Sequence, residues 1–499
     1  MISEQTYSYL VGYLTDRMEK AFGEKYGKKD RKYKALKGYG AYDYYKISAF
    51  HLNVLYELFD TAICRSKEKL VRSNAKGDML YVYNGKWYEC IGKPEKFLSS
   101  LVKETMRSLN IGGNYLRYAS KIAAECFTTI SNSDAYQFKP DRRWIAFENV
   151  DFDLKDNKPK PHNSDHVTDI VIDIDYKSEK ECNMEFWDVC KLWDKFIEEV
   201  LPNKDYRKDF QVFCGGLLVE RDKVKIEYMA CIHGPGANGK SVLVDAIAGV
   251  FGERYFTTFT PKQLFKEGQN SMFNLASMEG ALLNMVGDLE RTDFSGGPFK
   301  DFISGEAQTV RNMWDSSYFR MKPPMMICCA NEFPDTGDDT EGHHRRLLPF
   351  ESTVKMWKEQ ERDTQLTYKL TRPEARAYIF NWILKGYRRI VNNNWDFPLT
   401  DATLKAQERM RDNSNSLRRW WSEVGYCPAP TDISGEWMNL QTLYGEYRQW
   451  CEDYGQEQMR YTDLSRLMRS KKVQERKFDG RTQFLVGRKV NDNENGKEE

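Results

Sequence analysis

The 499-residue sequence lacks any long apolar run. Its opening stretch, MISEQTYSYLVGYLTDRMEK, is interrupted by charge, so neither a secretory leader nor a membrane span is expected, and a cytoplasmic setting follows. Organised cysteine chemistry is also missing. The eleven cysteines form no C-x-x-C pair and no Cys/His group at zinc spacing. That argues against a zinc ribbon or a disulfide scaffold and leaves reduced thiols as the expectation. No charge of one sign dominates: 75 Lys and Arg against 74 Asp and Glu give +1. A uniformly basic nucleic-acid coat is therefore excluded, whereas local basic patches are not. No internal repeat is present. At 40% hydrophobic residues the chain can build a sizeable core, and its length suits about three or four domains.

Four regions are expected: a helical extension over 1–75, a mostly helical domain over 76–220, a nucleotide-binding α/β core over 221–390, and a helical carboxyl-terminal part over 391–499. In the first, ISAFHLNVLYELFDTAI sets Phe50, Val54, Leu55, Leu58 and Phe59 near a helical stripe. Ahead of it, KYGKKDRKYKALKGYGAYDYY reads either as a solvated linker or as a nucleic-acid contact. In the second, MLYVYNGKWYEC predicts a hairpin turning at Asn84-Gly85. The run from Met184 to Val219 reads as helix, with Phe186, Val189, Cys190, Trp193 and Phe196 on one face.

The chemistry begins at CIHGPGANGKSVLVDAIAGVF. An apolar strand enters a glycine-rich turn and leaves as a helix that Gly252 ends. Gly234 and Gly239-Lys240-Ser241 fit G-x4-G-K-S/T, the phosphate-binding Walker A loop. Glycines, Gly236 included, let backbone N–H groups surround phosphate oxygens. Lys240 neutralises the terminal phosphates, and the Ser241 hydroxyl can ligate Mg²⁺. The helix adds its positive end. ATP and Mg²⁺ are the cofactors implied. GALLNMVGDLE supplies an apolar strand ending in Asp288 and Glu290, with Asp288 expected on the metal and Glu290 as base. A third strand, PPMMICCANEFPD, ends in Asn331, placed to orient water beside a γ-phosphate. DDTEGHHRRLLPF then offers Arg345 and Arg346, either as an ordinary ion pair or as an arginine finger given to a neighbouring subunit.

Loop, acidic strand and Asn strand, in this order between Gly234 and Asn331, resemble a superfamily 3 helicase of the phage, plasmid and poxvirus primase-helicase branch. Asn238 inside the loop fits that branch, and RRLLPF approximates its ending with a shorter gap. The resemblance implies a multidomain α/β fold: a helical amino-terminal region, an AAA+-like P-loop ATPase core and a carboxyl-terminal winged-helix-like domain. It also implies a homo-hexameric or similar ring acting on single-stranded or forked DNA in the host cytoplasm. The segment FKDFISGEAQTVRNMWDSSYFRMKPP corresponds to a channel hairpin gripping DNA. Its tip, near Asn312 to Asp315, lacks an obvious Lys or His and carries Trp314 between Arg311 and Arg320. Stacking with phosphate pairing suffices for grip, although Trp314 equally suits a buried subunit contact.

Asp173 and Asp175 in DIVIDIDY have a metal-binding spacing, but they lie inside the upstream domain, so a helicase without its own primase centre is expected. His162 and His166 read as turn residues. A separate primase or single-strand binding protein is the further partner implied. Near the carboxyl terminus, YTDLSRLMRSKK carries Arg466, Arg469 and Lys472, followed by a hairpin signal at Asp479-Gly480. This part reads as winged-helix-like, binding DNA or protein. Two other functions stay open: an ATP-dependent initiator or assembly ATPase without unwinding, and a P-loop small-molecule NTPase or kinase.

Overall fold

The computed structural model describes residues 4–26, 55–64, 69–74, 77–109, 113–221, 223–236, 238–265, 269–287, 297–313, 317–331, 341–352, 363–412, 415–429, 435–456 and 458–488. Phe50 and Val54 of the amino-terminal stripe lie outside these residues. The chain divides into two compact units, Met1–Cys182 and Asn183–Glu499, and it is a mixed α/β protein with a helical amino-terminal region and one parallel sheet. Among the described residues no helix is long and apolar enough to cross a membrane.

The first unit opens with the helix Glu4–Tyr26. Its buried Leu10, Leu14 and Met18 recur every four residues, the spacing that keeps side chains on one helix face. They share a core with the helices Pro94–Ser108 and Ala119–Ser131 and a three-stranded antiparallel sheet. In that sheet Leu80–Tyr83 pairs with Tyr88–Ile91. The turn differs by one residue from expectation. Asn84 N–H bonds the Trp87 carbonyl, which leaves Gly85 and Lys86 at the tip. Gly85 has φ +99°, the left-handed backbone that a tight hairpin demands at its first central residue. The Asn84 side chain instead accepts from Lys86 and Trp87 N–H. Further on, Trp144–Ala146, Asp151–Asp153 and Lys158–Lys160 make an antiparallel meander. Asp151 in its middle strand receives both His162 Nδ1 at 2.9 Å and His166 Nδ1 at 2.8 Å. The two histidines read as turn residues are thus the partners of one buried carboxylate. Asp173 and Asp175 are exposed, between buried Ile172 and Ile174.

In the second unit, the helices Trp187–Val200 and Lys204–Gly216 lead into a five-stranded sheet. Its order across is Leu347–Glu351, Met229–His233, Met325–Ala330, Leu283–Val286, Phe256–Thr257, and every neighbouring pair is parallel. Strands buried on both faces read as unbroken apolar runs such as MMICCA. Helix Pro373–Asn392 lies against Lys204–Gly216 at very close range. A Cβ on Gly386 would stand 1.8 Å from the Gln211 carbonyl oxygen, and one on Gly215 would stand 2.1 Å from Tyr387 N. After helix Asp401–Asp412, three helices (Ser416–Glu423, Leu440–Asp453, Tyr461–Ser470) pack on a four-stranded antiparallel sheet around Trp420, Tyr447 and Phe484. The hairpin at Asp479 and Gly480 forms where expected, both residues having positive φ. Strands Tyr426–Pro428 and Glu436–Asn439 interrupt a stretch that the sequence suggested would be mostly helical.

Candidate functional site at the carboxyl edge of the sheet

All five parallel strands end on one edge, and the middle position belongs to Met325–Ala330, beside Met229–His233. Connections that leave neighbouring strands in opposite directions open a crevice at such an edge. The glycine loop fills that position between His233 and the helix Lys240–Phe251. Gly234 N–H bonds the Ala330 carbonyl at 3.3 Å, and Ser352 N–H bonds the His233 carbonyl at 2.7 Å. The loop is therefore anchored to strands on both sides.

Two glycines make its path possible. Gly234 has φ +151°, and a Cβ there would lie 2.1 Å from the Ser352 carbonyl oxygen. Gly239 has φ +83°, with Val200 and Phe196 at 3.1 and 3.2 Å from a would-be Cβ. Asn238 is 1% exposed and donates Nδ2–H to Ser352 Oγ at 3.0 Å. Lys240, 8% exposed, folds back so that Nζ donates to the carbonyls of Gly234 at 2.7 Å and Pro235 at 3.1 Å. The ammonium is thereby stationed at the loop mouth. Ser241 is exposed on the first turn of the helix. Asn331 is exposed at the tip of its strand, and a Cβ on Gly236 would be 3.8 Å from Asn331 Oδ1. Gly234, Gly236, Asn238, Gly239, Lys240, Ser241 and Asn331 are thus brought to one place. Asp288 and Glu290 lie outside the described residues; Gly287, just before them, follows the strand Leu283–Val286 onto the same edge.

His233, beneath the loop, was not singled out by sequence. Its imidazole pKa falls to about 4, because burial disfavours the cation and the Lys240 charge adds to that. Ser352 carries no sequence signal at all. It matters only because its strand lies next to Met229–His233.

Arg345 and Arg346 occupy the opposite edge, where the strand Leu347–Glu351 begins. Five residues of strand separate them from the loop edge, roughly 15 Å at about 3.3 Å per residue. Arg346 is 15% exposed and held by Ser304 Oγ at 2.9 Å, the Gly342 carbonyl, and Glu227 at 3.4 Å. Arg345 is 60% exposed, and among the described residues its guanidinium bonds Glu227 alone, at 3.3 Å.

The hairpin Gln308–Val310 with Phe319–Met321 pairs Thr309 with Arg320. Arg320 is exposed, as are Met313 and Tyr318 near the tip. Arg311 lies 5.5 Å from the ring centroids of Phe273 and Tyr318. Trp314 falls outside the described residues. At the root, Arg221 donates to the carbonyls of Ile303 at 3.0 Å, Pro323 at 2.6 Å and Ile226 at 3.0 Å. One cation so joins both hairpin legs to the segment entering the strand Met229–His233. Burial lowers its pKa to about 10.

The basic residues of the carboxyl-terminal part are partly committed. Arg466 pairs with Asp463 at 3.0 Å, and Arg469 grips Glu475 with two bonds of 2.9 and 3.0 Å. Lys472 is exposed. Exposed pairs of this kind stabilise little and can exchange for other anions.

Two sequence families match parts of the chain: a family of unknown function (DUF5906) over residues 232–346, and "D5 N terminal like" over residues 53–202. No curated protein matches. Among solved structures, an apo form of the NrS-1 C-terminal region aligns at 14% identity and TM-score 0.42, covering 87% of this chain and 99% of that one. A second apo structure of that region, residues 305–718, aligns at 12% identity and TM-score 0.39, covering 87% of this chain and 98% of that one. These likenesses are too distant to fix a fold.

Proposed function

We propose that this chain is a Mg²⁺-ATP-driven, ring-forming DNA helicase in the replication of a phage, plasmid or other mobile element, acting in the host cytoplasm without a primase centre of its own. The observation that carries this reading is the loop at the carboxyl edge of the sheet: Lys240 stationed on its own loop carbonyls, an exposed Ser241 hydroxyl, and Asn331 beside Gly236. A polyphosphate suits this cradle, since the positions nearest it are glycines and its one buried cation faces inward. Bound Mg²⁺ would neutralise phosphate charge, with Ser241 and Asp288 as its ligands. Lys240 would exchange its two carbonyls for phosphate oxygens, Asn331 would orient the attacking water, and Glu290 would accept its proton. Arg345 and Arg346 stand at the edge remote from their own loop, which favours action on a neighbouring subunit's nucleotide. Arg345 is the better candidate finger, because Arg346 is bonded into its own subunit. Arg311 and Arg320 on the hairpin, with Trp314 between them in sequence, would grip DNA, and the carboxyl-terminal part, with Arg466, Arg469 and Lys472, reads as a winged-helix-like domain for DNA or a partner protein. The D5 N terminal like match over 53–202 supports placement in the primase-helicase branch that the motifs resemble.

The test is strand displacement on forked DNA by the native chain and by Lys240→Ala at matched concentration. ATP-dependent unwinding that the variant loses is expected. DNA-stimulated hydrolysis without unwinding would replace the helicase with an assembly ATPase, and the absence of both activities would remove the P-loop reading.

A further inference from the structure

A cavity of about 430 Å³ opens at the end of the strand Leu347–Glu351, the strand next to Met229–His233, within the size range of small-ligand pockets. Tyr206, Glu351, Asp205, Asp401, Lys405 and Arg409 line it. It is bounded by elements that already touch the loop. Glu351 is the strand partner of His233 and precedes Ser352, the residue packed on Gly234 and bonded to Asn238. On its other side, Asn203 lies three residues past Val200, which abuts Gly239.

The lining combines one buried aromatic residue with exposed charged groups of both signs. Tyr206 is 7% exposed, its ring fixed edge-on against Phe350 with centroids 6.2 Å apart. Its hydroxyl reaches solvent in the cavity and has no hydrogen-bond partner among the described residues. Burial and the nearby Glu351 carboxylate push that phenol up, and Arg409 opposes them, so all three groups face one space. Glu351, Asp205, Asp401, Lys405 and Arg409 are exposed around it and make no ion pair among the described residues, so both signs of charge stand free to meet a ligand. A cavity of this size, with solvent-facing donors and acceptors of both kinds around one aromatic ring, suits a polar ligand rich in hydroxyl and ring-nitrogen groups.

We infer that this cavity receives the nucleoside half of the triphosphate whose phosphates the glycine loop takes, a proposal that rests on the phosphate-loop reading. The Tyr206 hydroxyl and the Arg409 guanidinium donate to the base or the ribose, and the carboxylates of Glu351 and Asp205 accept from ribose hydroxyls. The loop alone would hold any polyphosphate; this cavity makes the site prefer a nucleotide.

Equilibrium titration of the full chain with Mg²⁺-ADP and with Mg²⁺-pyrophosphate separates the two parts. The native chain is expected to bind ADP at least tenfold more tightly than pyrophosphate. Arg409→Ala and Glu351→Gln, both at exposed positions, should each reduce ADP affinity about five- to tenfold and change pyrophosphate affinity less than twofold. Tyr206→Phe, which keeps the packing on Phe350, should reduce ADP affinity about threefold. Lys240→Ala should weaken both ligands together. Unchanged ADP affinity in the three cavity variants would overturn the nucleoside assignment while leaving the phosphate loop standing. Equal losses for ADP and pyrophosphate would also overturn it, by assigning the cavity to phosphate. Failure of the native chain to bind either anion would instead remove the phosphate-loop reading beneath it.

Discussion

Asn238 Nδ2 donates to Ser352 Oγ across 3.0 Å, tying the glycine loop to the end of a strand 114 residues further along the chain. The bond is buried, so its loss leaves a polar group dry rather than returning it to water. Ser352→Ala is expected to cost about 1–3 kcal/mol of stability. It should also weaken nucleotide binding several-fold, because the loop loses its anchor. Ser352→Thr, which restores the hydroxyl, should recover both. A thermal melt and an ADP titration on each variant check this, and a fully stable Ser352→Ala with native affinity would contradict it.

The two arginines at the far edge should separate experimentally. Arg346→Ala removes bonds to Ser304, Gly342 and Glu227 and should lower the melting temperature along with turnover. Arg345→Ala should abolish hydrolysis without a comparable loss of stability. Subunits carrying Arg345→Ala, mixed with Asp288→Asn subunits, should regain part of the ATPase activity, since each supplies what the other lacks. No recovery at any mixing ratio would argue against action between subunits.

Arg320, exposed on the hairpin opposite Thr309, should matter when DNA is present. Arg320→Ala is expected to reduce DNA-stimulated turnover by about tenfold, the effect of roughly 1.4 kcal/mol, while basal turnover stays within twofold. Equal loss of both rates would make Arg320 structural.

His233 gives the fold an acid limit. Its pKa lies near 4 in the folded chain against about 6.5 when unfolded. The unfolded state therefore binds more protons between these values, so stability rises with pH there. This contribution is complete above about pH 6.5 and is lost as pH falls toward 4, on the order of 3 kcal/mol in all. His233→Gln should flatten that part of the stability profile, measured by denaturant titration from pH 7 to pH 4.5. A profile as steep as the native one would show that other groups control it.

How much of this could be read in advance depends on chain separation. The strand, loop and helix around Lys240 are contiguous, so CIHGPGANGKS was legible, as was the glycine that ends the helix. The Asp479-Gly480 turn was legible for the same reason. Asn84-Gly85 was read one residue out of register, because the Asn84 side chain can bond the turn from outside its tip, an option that a dipeptide rule ignores. What lay beyond reach depends on which strands become neighbours. Ser352, Val200 and Phe196 touch the loop only once the sheet order is set, and nothing in FESTV distinguishes that serine. Arg221 sits in GGLLVERDKVK, where it reads as one more solvated charge. The carboxylates and cations around Tyr206 come from three separate segments, so no local motif links them.

Arg221 has a mechanical consequence. A guanidinium shared among the carbonyls of Ile303, Pro323 and Ile226, in a site with no room for a side chain on Gly305, works as a rivet. Pulling it free would strand charge-assisted bonds, worth about 1.5–3 kcal/mol each, in a place water does not reach. The hairpin root and the entry to the strand Met229–His233 therefore form one stiff piece. A displacement at either end is handed on along that piece instead of being dissipated at a joint.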